Sequence, residues 1–210
     1  MPVPRRSPTP TRRPPEQPTA AEICASILQA AVQVLREEGA QGFTTARVAE
    51  RAGISMGVVY QHFPNKAAIL FRLQTDEWLR SAKLLGGILE DRREPPLTRL
   101  RLLVHAFIRS EFEEAEMRAA LSDAAPPNRD APEAREARAA SANTVRVFME
   151  EALPEASTAQ RALAGSLITR TLSAVGRQLT AKARSDAEVG AYADAMADMF
   201  CAYLMSLQQP

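Results

Sequence analysis

Glycine, histidine, cysteine and the aromatics are all scarce in this chain of 210 residues, and each shortage closes off a class of protein. Nine glycines exclude a collagen-like chain. The two cysteines, Cys24 and Cys201, lie far apart and form no Cys-x-x-Cys, so neither a disulfide framework nor a zinc site is indicated. Small buried packing is their expected role, with redox sensing as the alternative. Only two histidines are present, and there is no His-Glu-x-x-His, nucleophile elbow, P-loop or metal-ligand cluster. No catalytic, metal or cofactor site is therefore expected. No stretch approaches the roughly 18 to 20 uninterrupted apolar residues of a membrane span, and the first residues lack the apolar block of a secretory signal, so a cytoplasmic location is expected. Alternating β-branched runs are also missing, which points to an all-α fold. What is present is ordinary for a globular chain: 46% hydrophobic and 24% charged residues, enough for one or two domains with a real core.

The near balance of 26 basic and 25 acidic side chains hides a modest asymmetry. The first 66 residues carry eight basic and five acidic groups, and the remaining 144 carry eighteen and twenty. A polyanion would therefore meet the first third of the chain. Residues 1–18 hold seven of the fifteen prolines and two arginine pairs, Arg5-Arg6 and Arg12-Arg13. They cannot bury a core and are expected to be disordered, either as a plain leader or as a basic arm that touches DNA phosphates or the minor groove.

Thr19-Ala-Ala-Glu22 is a capping box, so a helix should begin there. Ile23, Ile27, Ala30, Val34 and Leu35 give it one apolar stripe, and Gly39 supplies a left-handed stop. Thr44 can cap a second, short helix with Val48, Ala49 and Ala52 inward and Gly53 at its end. Ser55 caps a third, with Ile54 and Val59 placed as a hydrophobic staple. Two helices joined by the tight Gly53-Ile54-Ser55 connection make a helix-turn-helix. At about 100° per residue, Val59 and Phe63 share one face with Met56 beside them, while Gly57, Val58 and Gln61 point the other way. Tyr60 lies on one flank and His62 on the other, next to a helix starting at Asn65-Lys66. Such a face suits a major groove bounded by phosphates: Gln61 can bond an adenine edge, Val58 can touch a thymine methyl, and Gly57 allows close approach. Each residue also has a plainer reading, with Tyr60 bracing the head, His62 bonding the next helix and Lys66 solvated in a first turn.

The stretch from Ile27 to about Leu73 carries Phe43-Thr-Thr45, Val48-Ala49, Ala52-Gly-Ile-Ser55, Gly57-Val-Val-Tyr60, His62-Phe63 and Asn65-Lys-Ala-Ala-Ile-Leu70. In these it strongly resembles the tetracycline-repressor-like (TetR) family of bacterial regulators. The resemblance implies a three-helix DNA-binding head over residues 19–66, an all-helical ligand-binding and dimerising body over 67–210, and repression relieved by a small-molecule effector. Carried over by position, Thr44, Thr45, Tyr60, His62 and Lys66 look like phosphate contacts, and Met56, Gly57, Val58 and Gln61 like the base-reading set. Met56 replaces a residue that is often polar, and Gln61 one that is often aromatic.

Beyond Asn65 the apolar spacing predicts a long helix to about Asp91. Another follows Pro95-Pro96, with a break near Glu113-Glu114 before a shorter one through Ala124. Pro126 to Pro132 reads as a loop, and a further helix runs from Glu133 to Leu153. From about 158 to 182, Ile168, Leu172, Val175 and Leu179 form one stripe, and Leu163, Leu167, Thr171 and Ala174 a second, so one stripe can serve the core and the other a partner. From about 187 to 207, Val189, Tyr192, Met196, Phe200, Tyr203 and Leu207 recur at helical spacing, with Ala193 and Ala197 allowing close approach. These last two helices are expected to form a homodimer as a four-helix bundle, matching a palindromic double-stranded DNA operator. For an effector in the body, the candidate contacts are Trp78, His105, Phe107, Phe112, Phe148 and Arg170. The acidic run Glu111, Glu113, Glu114 and Glu116 reads as a solvated face. The competing readings are a ligand-independent regulator or activator and an all-α enzyme, for which the sequence offers little support.

Overall fold

A computed structural model describes residues 18–124, 132–179 and 185–208, and every regular element among them is a helix. The 1–17 arm, most of the 126–132 loop and residues 180–182 lie outside the described residues. Helix α1 (Ala20–Gly42) starts at the expected capping box: Thr19 Oγ1 accepts from the Glu22 N–H at 3.2 Å, and the Glu22 carboxylate accepts from the Thr19 N–H at 2.7 Å. The bonds from Thr19 hold the Glu22 carboxyl below its ordinary pKa. Gly39, at φ +66°, breaks the helix before its last residues, as a glycine tolerates and a β-carbon does not.

Helix α2 (Thr45–Ala52) is capped by Thr44, whose hydroxyl accepts from the Arg47 N–H, and ends on Gly53 at φ +67°. Helix α3 (Met56–His62) is capped by Ser55, which accepts from the Val58 N–H at 3.3 Å. Then follow α4 (Lys66–Glu90), α5 (Pro96–Glu113), α6 (Ala115–Ala124), α7 (Pro132–Ala152), α8 (Thr158–Leu179) and α9 (Asp186–Gln208). Helices α8 and α9 open on capping boxes of their own, Ser157 with Gln160 and Ser185 with Glu188.

Two apolar cores share the molecule. The first gathers Ile27, Ala31, Val34 and Leu35 of α1, Val48 of α2, and Val59 and Phe63 of the α3 region. It also takes Ile69, Leu70 and Leu73 from α4 and Met117 and Leu121 from α6. The second is built from α5, α7, α8 and α9 on the far end of α4, with Leu89 inside it. A single helix, α4, thus runs through both cores, and α6 packs its apolar side on α1. Between α4 and α7, Arg99 of α5 is 1% exposed: it donates to the Leu89 carbonyl, pairs with Glu151 and lies over the Phe148 ring.

Candidate nucleic-acid interface

The recognition surface begins with how α3 is held. Val59 and Phe63 are buried and Ile54 packs beside them, so the opposite side of the helix is left outward. Gly57 and Gln61 are exposed and Val58 half-buried on that side. A β-carbon built at Gly57 would meet only Ser55 Oγ, at 3.7 Å, so nothing else among the described residues stands over this position. Met56, half-buried like Val58, differs from the other three in resting against the head core, so its share in any base contact is confined to one edge.

The flanking groups fall into two kinds. Thr44 is exposed at the start of α2, Tyr60 is 48% exposed, and the hydroxyls of Thr45 and Tyr60 lie 3.4 Å apart. The first turn of α2 and the flank of α3 therefore meet at one hydroxyl pair, whose O–H groups can donate to an anion on the same surface. His62 is half-buried at the end of α3. Lys66 is partly committed: its ammonium lies 3.5 Å from the Ala40 carbonyl and 5.7 Å from the Phe43 ring centroid. It braces the connection between α1 and α2, keeping donors to spare on a group with three protons.

The two arginines of α2 are tied up by acids. Arg51 forms a two-pronged pair with Glu37 of α1, one arm at 2.8 Å. That pair pulls the Glu37 carboxyl down and pushes the Arg51 guanidinium up from their ordinary pKa values, the hydrogen bond being the main cause for each. Arg47 lies 3.2 Å from Glu50 and 3.6 Å from Glu38. The two pairs that cross to α1 have no signature in the sequence, whereas Arg47-x-x-Glu50 within α2 has the i,i+3 spacing of a helical ion pair.

The body residues expected around an effector fall on four helices, α4, α5, α7 and α8. Phe148 is in the body core under Arg99, and Phe107 and Phe112 pack against that core. His105 sits 3.1 Å from Asp194 of α9, Trp78 is half-buried on α4, and Arg170 is exposed on α8. A cavity of about 260 Å³ opens between α1, α4 and α6, lined by apolar residues such as Leu28, Leu73 and Met117 and by charged ones such as Arg36, Glu77 and Arg80. None of the six lines it. Beside it, the expectation of a solvated acidic face is corrected: Glu111 and Glu114, with Glu77 of α4, surround the half-buried Arg118 of α6. Burial raises the Glu77 carboxyl, and Arg118 opposes that rise. Burial lowers the Arg118 guanidinium, but the pull of Glu77 and Glu111 carries it above its ordinary value. The run was misread because the cation that organises it follows the run itself and comes round on the next helix.

The profile described as "Tetracyclin repressor-like, C-terminal domain" matches residues 95–207, and the one described as "Bacterial regulatory proteins, tetR family" matches 27–73. The nucleoid occlusion factor SlmA of Vibrio campbellii (strain ATCC BAA-1116) is 36% identical over 85 residues, 39% of this chain and 42% of that protein. The HTH-type transcriptional regulator CymR of Pseudomonas putida is 45% identical over 60 residues, 29% of each. The chain thus spans less than half the length of these curated relatives. The crystal structure of FadR from Bacillus subtilis in complex with stearoyl-CoA superposes with a TM-score of 0.64 at 16% identity, covering 85% of this chain and 97% of that one.

Proposed function

The chain belongs to the tetracycline-repressor family of bacterial regulators, and from that premise we propose that it is a ligand-responsive repressor that binds a palindromic operator as a homodimer. The observation that carries the reading is the outward face of α3, where Gly57, Val58 and Gln61 stand clear of the core on a helix fixed from behind by Val59 and Phe63. In this reading Gln61 and Val58 read base edges, Gly57 lets the helix sink into the groove, and Met56 adds an apolar edge. Thr44, Thr45, Tyr60, His62 and Lys66 set the register on the phosphates.

Dimerisation is supported by two apolar faces that the core does not use. On α8, Leu163 and Leu167 are 64% and 47% exposed, while Ile168 and Leu172 are buried. On α9 the exposed face is Tyr192, Ala195, Met199, Ala202 and Met205, whereas Met196, Phe200, Ala193 and Ala197 lie in the chain's own core. Ala193 and Ala197 therefore lie in the chain's own core, where α9 packs on α5, and a different stripe of the same helix is left for a second copy. Two heads about 34–36 Å apart would then read half-sites one turn apart. An effector held in the body would act through α4, the helix common to both cores, by favouring one head spacing over another. Such a regulator works where the chromosome is, in the cytoplasm.

The test is selection of bound duplexes from a random pool, followed by titration of the selected site. A palindromic consensus is expected, and Gln61→Ala should relax preference at one position per half-site by about 1–3 kcal/mol. A pool that yields no consensus, or a variant with unaltered preferences, would refute the assignment.

A further inference from the structure

Between Thr19 and Lys66 the head carries four basic and four acidic side chains, so the unit that meets DNA is electrically neutral. Three of those acids, Glu37, Glu38 and Glu50, are the partners of the two α2 arginines. Arg47 is the telling case. It is the third residue of α2, in the same turn as Thr44 and Thr45, and its own N–H is the one that Thr44 caps. A guanidinium there is within a side chain's length of any phosphate seated on that turn, and it is more than half exposed. Yet it is drawn to Glu50 along its own helix and to Glu38 across on α1.

We propose that Glu38 and Glu50 are specificity determinants, which hold the Arg47 guanidinium away from the DNA backbone and so suppress binding to non-operator sequences. The proposal rests on the reading of α2 and α3 as the DNA-binding unit. Contacts to phosphate are blind to sequence and supply nearly all of non-specific affinity, whereas contacts to bases discriminate. A head whose α2 cations are already neutralised gains little from an arbitrary duplex and depends on α3 for its affinity. Exposed ion pairs are individually weak, so the restraint is a bias on where Arg47 points and not a lock. Two acids on one cation make that bias one-sided.

The experiment is a double-mutant cycle on the full chain, read by fluorescence anisotropy with a random-sequence 30-base-pair duplex from low to moderate salt. The four proteins are the wild type, E38Q/E50Q, Arg47→Ala and the triple variant, each checked for an intact helical spectrum. Freeing one guanidinium should steepen the plot of log K against log salt by about 0.9 per head, the slope of one extra phosphate contact. Random-duplex affinity should rise several-fold at moderate salt, and the ratio of operator to random affinity should fall. In the Arg47→Ala background the same two Glu→Gln changes should move the slope by less than a third as much. Equal increments in both backgrounds would show that the acids act only through the general field, and the proposal would be wrong. An unchanged slope in E38Q/E50Q would overturn it as well. Failure of the wild type to bind any duplex would remove the DNA-binding reading itself, a result distinct from normal binding with an unchanged slope.

Discussion

Replacing Gly57 by alanine should make this protein more stable and a poorer DNA binder. The backbone of Gly57 is not in the left-handed region, and a β-carbon there meets one atom, Ser55 Oγ, at an ordinary 3.7 Å. The fold therefore has room for the methyl group. Restricting the unfolded chain at a compatible position stabilises by about 0.4–1 kcal/mol. For a protein of this size that is a rise in Tm of about 1–4 °C. The same methyl stands on the outward side of α3, where the groove floor would lie. Pushing the helix back from one base pair costs about 1–3 kcal/mol, roughly a 5- to 150-fold loss of operator affinity. Thermal melting and anisotropy titration on the selected operator, at one fixed salt concentration, measure both numbers. A variant that melts higher and binds as tightly as the parent would show that Gly57 does not approach DNA. One that melts several degrees lower would show that the local geometry of α3 is misjudged.

Three further outcomes follow from the packing and charge of the body. Leu163→Glu combined with Met199→Glu places charge on the exposed stripes of α8 and α9 and should cost the dimer about 3 kcal/mol or more, seen as a monomer by sedimentation at micromolar concentration. A dimer that persists would move the interface elsewhere. Glu77→Gln tests the buried cluster around Arg118. The folded Glu77 carboxyl keeps its proton to higher pH than the unfolded one, so its contribution to stability is lost as pH rises from the ordinary 4.5 through the raised value. The stability of the variant relative to the wild type should therefore improve between pH 4.5 and neutrality; a wild-type advantage that grows with pH would show that the pull of Arg118 outweighs burial. In Gly176→Ala a β-carbon would sit 2.9 Å from both the Phe107 ring and Glu111 Cγ. Overpacking of this kind costs about 1–3 kcal/mol, and the folded fraction should still bind operator normally. Unchanged melting would mean that α8 and α5 are less tightly apposed than described.

Much of the head was legible from local pattern. The capping residues Thr19, Thr44 and Ser55 and the stop at Gly53 act within four residues of themselves, so their hydrogen bonds could be anticipated before any tertiary contact was known. The outward set Gly57, Val58 and Gln61 followed from the period of one short helix. Ser157-x-x-Gln160 and Ser185-x-x-Glu188 are signals of the same kind that went unused, and they set to the residue the starts of α8 and α9 that the apolar spacing placed only at about 158 and 187. Met56 was harder, because its angular position lies at the border between faces and only the neighbouring core decides which way it turns.

The amino-acid order by itself determined the helical segments seen among the described residues, the caps of α1, α2 and α3, the break near Glu113 and the face that α3 offers, because all of these are set by rotations and hydrogen bonds that span a turn or two. Only the tertiary structure decided that α6 completes the head core, that Arg118 gathers acids from α4, α5 and the α5–α6 junction, and that Glu37 and Glu38 occupy the arginines of α2. Those partners lie 4 to 41 residues apart along the chain, and of them only Glu114 and Arg118 stand at the i,i+4 spacing of a helical pair. An ion pair or a buried contact depends on distance in space, which no periodicity along the chain records.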